Sequence, residues 1–329
     1  MVSISKLLNI SMAMLVNEIK VEDLATRSIF QSEFWAKVKA PLWHPFAFSF
    51  SIRDKNGEVL VLVRTFINLF SIAYIPFGPE VYLEHEELVS LAKELKKRLP
   101  FSVILLRFDL PFLHGFDIKK PFYKCNESVQ ADATVLIKLD EDFVLHSRAK
   151  RNISKTKDAF TISLAKEDEI DLWHKTYLET GHRDHFQCRS LSYIKKLLRT
   201  ECKTVKPLLY IAKRDGKIMG GILNLRGMDT ELYLFGATIK TEDGLSPGYL
   251  LQYTAMESAK EAGIKYYDMF GIEGKDGRGE HLKSLTLFKT AFGGERYYRT
   301  PTFDFFYKGV LAGFYRILEN VRYSFYRKK

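Results

Sequence analysis

Cysteine is scarce: Cys125, Cys188 and Cys202 are the only three, and no two form a C-x-x-C pair. An odd number without that spacing argues against a disulfide framework or a thiolate zinc site, and it fits a reducing, cytoplasmic compartment. Apolar runs long enough to cross a bilayer are also missing. The stretch LLNISMAMLV near the start is broken by Asn9 and Ser11 and has no small-residue cleavage pattern. It reads as an N-terminal strand, or as residues upstream of a start at Met12 or Met14. H-E-x-x-H, G-x-S-x-G, the P-loop and G-x-G-x-x-G are all absent, so nothing points to a metal protease, a serine hydrolase, ATP or NAD. His174, His182 and His185 cluster in LWHKTYLETGHRDHF without a ligand pattern and are expected at a helix surface or end, with no metal.

What is present is a chain of 329 residues, long enough for two domains, with 46% hydrophobic residues to build their cores. Its 25 Phe and 17 Tyr are expected mainly in those cores. A formal net charge of +10 suits a polyanionic partner such as tRNA, a nucleotide diphosphate or an anionic membrane surface, although a plain solvated basic surface has the same composition.

The chain reads as one unit written twice. FAFSFSIRDKNGEVLVLVRTF alternates about Asn56-Gly57, a hairpin signal, and is followed by the apolar run LFSIAYIPFG, the helical EHEELVSLAKELKKRL and the strand VILLRFDL. Downstream, LLYIAKRDGKIMGGILNL turns about Asp215-Gly216. Then come ELYLFGAT, the helix LLQYTAMESAKEA and the strand KYYDMF. In that helix Leu251, Ala255, Ala259 and Ala262 share one face. Hairpin, strand, helix, strand is the core order of GNAT acyltransferases, so the expected fold is α/β (α+β): two tandem GNAT-like domains. The expected boundaries are 1–145 and 146–304, with a C-terminal helix over about 305–329. The basic run LHSRAKRNISKTKD is expected to start a helix or face a phosphate, and DEIDLWHKTYLETG and SLSYIKKLLRTE to form two helices. The C-terminal GVLAGFYRILENVRYSFYRKK carries apolar residues around much of its circumference, which predicts packing against a domain.

GLSPGYLLQYTAMESAKEAGIKYYDMFGI resembles half of an acyl-CoA site, in which a Q/R-x-x-G-x-G/A loop lays backbone N–H groups on a pyrophosphate. Here Pro247 supplies no donor and Tyr249 stands where a second glycine belongs, leaving Gly248 alone. The scaffold reads as GNAT-like with its CoA cradle altered.

In family order, several stretches resemble the FemABX family, the non-ribosomal peptidyl transferases that build peptidoglycan cross-bridges from aminoacyl-tRNA. QSEFWAKVK, AYIPFGPE (with Phe77 where arginine is usual), RAKRNISKTKD and TGHRDHFQCRSLSYIKKL are similar to its blocks. YLLQYTAMESAKEAGIKYYDMFGI and LTLFKTAFGGE match most specifically. Tyr193 and Leu208 stand too close for the long helical hairpin that some members carry, so no coiled-coil arm is expected. The resemblance implies that the C-terminal helix joins the first domain. The resemblance implies a catalytic role for Lys289, in LTLFKTAFGG next to Phe288, as a cation that stabilises the oxyanion or the departing ribose. It implies Lys39 and Arg189 as ligands of the acceptor's pyrophosphate. Tyr193, four residues beyond Arg189, would share its helix face, and Tyr233 and Tyr74 would hold corresponding strand positions in the two units. Asp109 and Asp268 end the two closing strands; Asp109 is the candidate general base and Asp268 is read as structural. Taken alone, each of these residues reads as an ordinary core or surface residue.

The resemblance therefore implies an aminoacyltransferase that moves an aminoacyl group from tRNA, its co-substrate, to the stem-peptide amine of UDP-MurNAc-pentapeptide or lipid II, without a cofactor. A lipid-linked acceptor would place it at the inner face of the membrane. The alternatives are an acyl-CoA-dependent N-acyltransferase and a non-catalytic protein that binds precursor or tRNA.

Overall fold

The computed structural model describes residues 13–66, 69–113, 115, 118–139, 143–239, 241–275, 279 and 282–327. Most of LLNISMAMLV lies outside the described residues. The chain divides into two compact units, one of residues 1–130 with 299–329 and one of residues 131–298.

The first unit begins with β1 (Leu15–Ile19), α1 (Glu33–Lys39), β2 (His44–Ile52), β3 (Lys55–Phe66) and β4 (Phe70–Ile75). It continues with α2 (His85–Lys96), β5 (Val103–Phe108) and β6 (Phe122–Lys124). The expected β2–β3 hairpin is present, but its turn is not at Asn56-Gly57. Ile52 pairs with Lys55, so the chain reverses at Arg53-Asp54, with Arg53 at φ 54°. Gly57 sits inside β3, where a Cβ would meet Phe50 Cζ at 2.5 Å. That glycine makes room for a ring instead of making a turn. α2 starts on a capping box between Glu84 and Glu87 and turns Leu88, Leu91, Ala92 and Leu95 onto the sheet.

The second unit contains β7 (Ala133–Lys138), α3 (Ser147–Thr156), β8 (Thr161–Leu164), α4 (Glu169–Arg183), α5 (Leu191–Arg199), β9 (Lys206–Arg214), β10 (Lys217–Arg226) and β11 (Thr230–Thr238). It closes with α6 (Gly248–Glu261), β12 (Tyr266–Asp268), α7 (Lys283–Lys289) and β13 (Glu295–Tyr298). The basic run thus forms a helix, α3. The β9–β10 turn is at Asp215-Gly216, both left-handed at φ 51° and 74°, as a two-residue hairpin loop requires. The chain then returns to the first unit with β14 (Phe303–Phe306) and α8 (Gly309–Arg327).

Each unit holds a seven-stranded sheet, ordered β1-β2-β3-β4-β5-β14-β6 and β13-β7-β12-β11-β10-β9-β8. In each, one parallel pair, β4–β5 or β11–β12, is flanked by an antiparallel strand from far away in sequence: β14 beside β5, and β7 beside β12. The unit boundaries consequently differ from the expected 145/146 and 304/305, because Ala133–Lys138 completes the second sheet and Phe303–Phe306 the first. α5 leads directly toward β9, with no helical arm between them.

The expected packing of the C-terminal helix is only half met. α8 lies on the first sheet through Ala312 and Tyr315, beside Ile72, Ile104, Leu105, Phe66 and Phe70. Its larger apolar residues remain exposed. Arg107, on β5, anchors this corner. It makes a two-pronged pair with Asp304 (2.7 and 3.0 Å) and a second with Glu319 of α8 (2.8 and 2.7 Å).

Among the described residues no helix is long and apolar enough to cross a membrane, and no group of His, Cys, Asp and Glu could hold a metal ion.

Candidate active site

The two parallel pairs end differently. In the first unit β4 and β5 stay paired to Ile75 and Phe108. Asp109 N–H then donates to Ile75 O (3.1 Å) and Gly78 N–H to Asp109 O (2.9 Å). The buried Asp109 carboxylate accepts from the hydroxyls of Tyr74 and Thr302. Burial, reinforced by the Asp109 charge, holds the Tyr74 phenol well above its usual range, so it stays protonated as donor. The structure thus brings Tyr74 and Asp109 together in a closed, buried network.

In the second unit β11 and β12 pair only from Thr230↔Tyr266 to Leu232↔Asp268, although β11 runs on to Thr238. Beyond Leu232 the strand keeps β10 on one edge and loses β12 on the other. Lys289, the last residue of α7, reaches this region. Its Nζ donates to the carbonyls of Phe270 (2.7 Å) and Gly271 (2.8 Å) and lies 5.4 Å from the Tyr233 ring centroid. The turn that aims those carbonyls is set by Phe270 at φ 52°, and its N–H is held by Asp268 Oδ1 at 2.8 Å. Asp268 also accepts from Thr134, which fits its reading as structural.

Lys289 is 6% exposed. Burial, only partly opposed by the Asp268 charge, depresses its ammonium from the ordinary lysine range to about 7. An ammonium has three N–H groups and a neutral amine two. With two bonds given to carbonyls, the charged form keeps one donor in reserve, whereas the neutral form keeps a lone pair. Near pH 7 the same atom offers either, the condition for acid–base or electrostatic work. Phe288 packs edge-on against Tyr249 and Phe292, at 4.9 and 5.4 Å.

Tyr233 is partly buried among the core of the second unit, and burial raises its phenol, with Tyr177 contributing. Tyr177, buried on α4, carries no motif that marks it in the sequence. Its only signal was the i,i+4 spacing from Trp173, against which it stacks at 5.4 Å. Burial pushes its phenol up to about 12, while Arg189 lowers it. Tyr177 therefore connects the Lys289–Tyr233 pair to Arg189 and Tyr193. These last two do not share a helix face as expected, because α5 starts at Leu191 with Ser190 as its cap. They meet regardless, the guanidinium 5.7 Å from the Tyr193 ring. His174 donates through Nε2 to Arg189 O (2.9 Å), a structural bond. In the first unit, Lys39 stands 4.6 Å over the Trp35 ring at the end of α1.

Gly236 governs the placement of Tyr233. A Cβ there would lie 2.9 Å from Tyr233 Cε2 and closer still to its hydroxyl. Gly236→Ala is expected to displace the ring, lowering turnover by up to about 10²-fold for a shift near 1 Å while unfolding changes by only about 1 kcal/mol. Initial rates and a melting curve on one preparation check this.

Tyr249 stands at the second position of α6, where the sequence placed it. Its ring packs against Phe288 and Phe292, and among the described residues its buried hydroxyl has no partner. The departure from a CoA cradle rests on Pro247, the N-cap of α6, which has no N–H to give.

Comparison with known proteins fits this geometry. Residues 146–283 match the family model described as an acetyltransferase (GNAT) domain. None of the curated proteins matches. The crystal structure of FemX superposes with a TM-score of 0.75 at 16% identity, covering 92% of this chain and all of that one. A tandem GNAT protein from the clavulanic acid biosynthesis pathway gives 0.54 at 11% identity, covering 88% of this chain and 98% of that one. A conserved protein of unknown function from Bacteroides thetaiotaomicron gives 0.52 at 10%, covering 86% and 93%. The chain therefore has a FemABX-like tandem GNAT fold.

Proposed function

We propose that this protein is an aminoacyltransferase that moves an aminoacyl group from tRNA to the stem-peptide amine of a peptidoglycan precursor, with its chemistry in the second unit. The observation that carries the reading is Lys289: a buried amine tuned to about 7, caged by two carbonyls where β11 and β12 part. The position matches the LTLFKTAFGGE block of the resemblance, and the likeness to FemX runs through both units.

In the reaction the acceptor amine attacks the ester carbonyl of the donor. A C–N bond forms, the ester C–O bond breaks, and the ribose oxygen leaves with a proton. Of the two protons shed by an acceptor ammonium, one goes to that oxygen and one to solvent. As ammonium, Lys289 stabilises the oxyanion or the leaving oxygen; as amine, it accepts the acceptor's proton. Phe288 and Tyr233 fix its position. In the second unit Arg189, with Tyr193 beside it, is the proposed ligand of the acceptor pyrophosphate; the resemblance also implies Lys39 of the first unit. Asp109, whose carboxylate already accepts two hydroxyl bonds, is the weaker candidate for a base. The reaction needs no cofactor, and the net charge of +10 suits tRNA phosphates.

Pro247 favours tRNA over acyl-CoA as donor. Filter binding with charged tRNA is expected to show retention that weakens steeply with salt, and calorimetry with acetyl-CoA to show no saturable heat. Tight acetyl-CoA binding without tRNA retention would instead support the acyl-CoA reading.

A further inference from the structure

α8 packs on the first sheet with its apolar side turned away. The side that meets the sheet carries Ala312, Tyr315 and Glu319, with Arg316 donating to Lys124 O (2.5 Å). The opposite side carries Val310 (89% exposed), Leu311 (48%), Phe314 (61%), Ile317 (61%), Leu318 (50%) and Val321 (48%). At 3.6 residues per turn these six fall within an arc of about 120° and along about 16 Å of helix. Phe101, also 89% exposed, adjoins the N-terminal end, with Lys308 Nζ 3.7 Å from its ring centroid. Scattered exposed leucines are ordinary, but a continuous stripe on a helix whose polar side is the buried one is not.

Cations mark both ends of the stripe. Lys308 precedes the helix, and the exposed Arg322 follows Val321 at its other end. From Lys308 onward the only acid is Glu319, which is already engaged by Arg107. A second copy of this chain fits poorly: parallel or antiparallel, two stripes laid together set cationic end against cationic end. An anionic lipid surface complements both features, accepting large apolar side chains at the headgroup boundary and cations beside them.

We propose that α8 is an in-plane membrane anchor, which seats the first unit reversibly on anionic phospholipid through Val310, Leu311, Phe314, Ile317, Leu318 and Val321. The inference is independent of the transfer chemistry, because the stripe shares no residue with the Lys289 site.

The test is flotation of the full chain with vesicles of phosphatidylcholine alone or mixed equally with phosphatidylglycerol. The protein is expected to float with the mixed vesicles, hardly at all with phosphatidylcholine, and less as salt rises. The double variant Phe314→Glu/Ile317→Glu should bind about tenfold more weakly with an unchanged melting temperature, because both residues are exposed in the folded chain. In a second variant, Phe314→Trp, emission should shift to the blue on adding mixed vesicles. Failure of the unaltered chain to float, or equal flotation of the double variant, overturns the proposal. So does a dimer in sedimentation that the double variant splits without any vesicle binding, which would assign the face to a second copy.

Discussion

Lys289→Met is expected to lower the transfer rate by about 10²–10³-fold, the range seen when one preorganised donor to a developing oxyanion is removed. The pH profile distinguishes this loss from a merely structural one. Below pH 7 the rate of the unaltered protein should climb tenfold per pH unit, as the acceptor amine (pKa about 10) gives up its proton. Above pH 7 it should level off, because loss of the Lys289 ammonium offsets that gain. Ammonium catalysis on a neutral acceptor and amine catalysis on a charged one have the same proton count and give the same profile. In Lys289→Met the break at 7 should vanish and the slope persist, whereas a profile that keeps its break would remove Lys289 from the chemistry.

The same residue makes a stability prediction with the opposite sign. Between pH 7 and about 10.5 the unfolded lysine is protonated while the folded one is not, so the unfolded state binds more protons and stability rises with pH across that window. At pH 7 the penalty is on the order of 4–5 kcal/mol, before the carbonyl bonds are counted. Lys289→Met should therefore be much slower in transfer yet no less stable at pH 7, and its stability should lack the rise toward pH 10. Equilibrium urea unfolding at several pH values reads this directly.

The second large effect is Arg107→Met. The guanidinium is buried, as is its partner Asp304, and Glu319 is largely so. Burial alone would depress the arginine, but its two carboxylates outweigh that and hold it charged. Removing it strands two carboxylates and should cost about 3–5 kcal/mol in the unfolding of the first unit. The triple change Arg107→Met/Asp304→Asn/Glu319→Gln should recover most of that loss. A single substitution costing less than about 1 kcal/mol would mean that the cluster does not hold β5, β14 and α8 together.

Local rules made the duplicated order legible. Alternation marked the strands, Asp215-Gly216 gave a true two-residue turn, and Gly263, at φ 77°, ended α6. Asn56-Gly57 showed the same signal and misled, because Phe50 across the strand pair needed the space that Gly57 leaves. The boundaries were not legible either. β7 and β14 are placed by pairing with β12 and β5, and nothing in Ala133–Lys138 or Phe303–Phe306 names its partner. At the site, motif order singled out Lys289, Phe288 and Tyr233, and Lys289 lies 5.4 Å from the Tyr233 ring. Its cage could not be read from sequence, because it is built from backbone carbonyls and from burial. Tyr177 and Gly236 depend on α4 crossing β11, and the Arg107 cluster joins residues far apart in sequence. The outward stripe of α8 became visible only once the sheet had claimed the helix's other side.

The central claim is transfer of an aminoacyl group to a precursor amine. Mass spectrometry of UDP-MurNAc-pentapeptide and of lipid II, after incubation of the full chain with a mixed pool of charged tRNAs, tests it most directly. A product heavier by one amino-acid residue is expected on one of these acceptors, formed by the unaltered protein and largely lost with Lys289→Met. No mass gain on either acceptor, together with acetylation of the amine when acetyl-CoA is supplied, would contradict it.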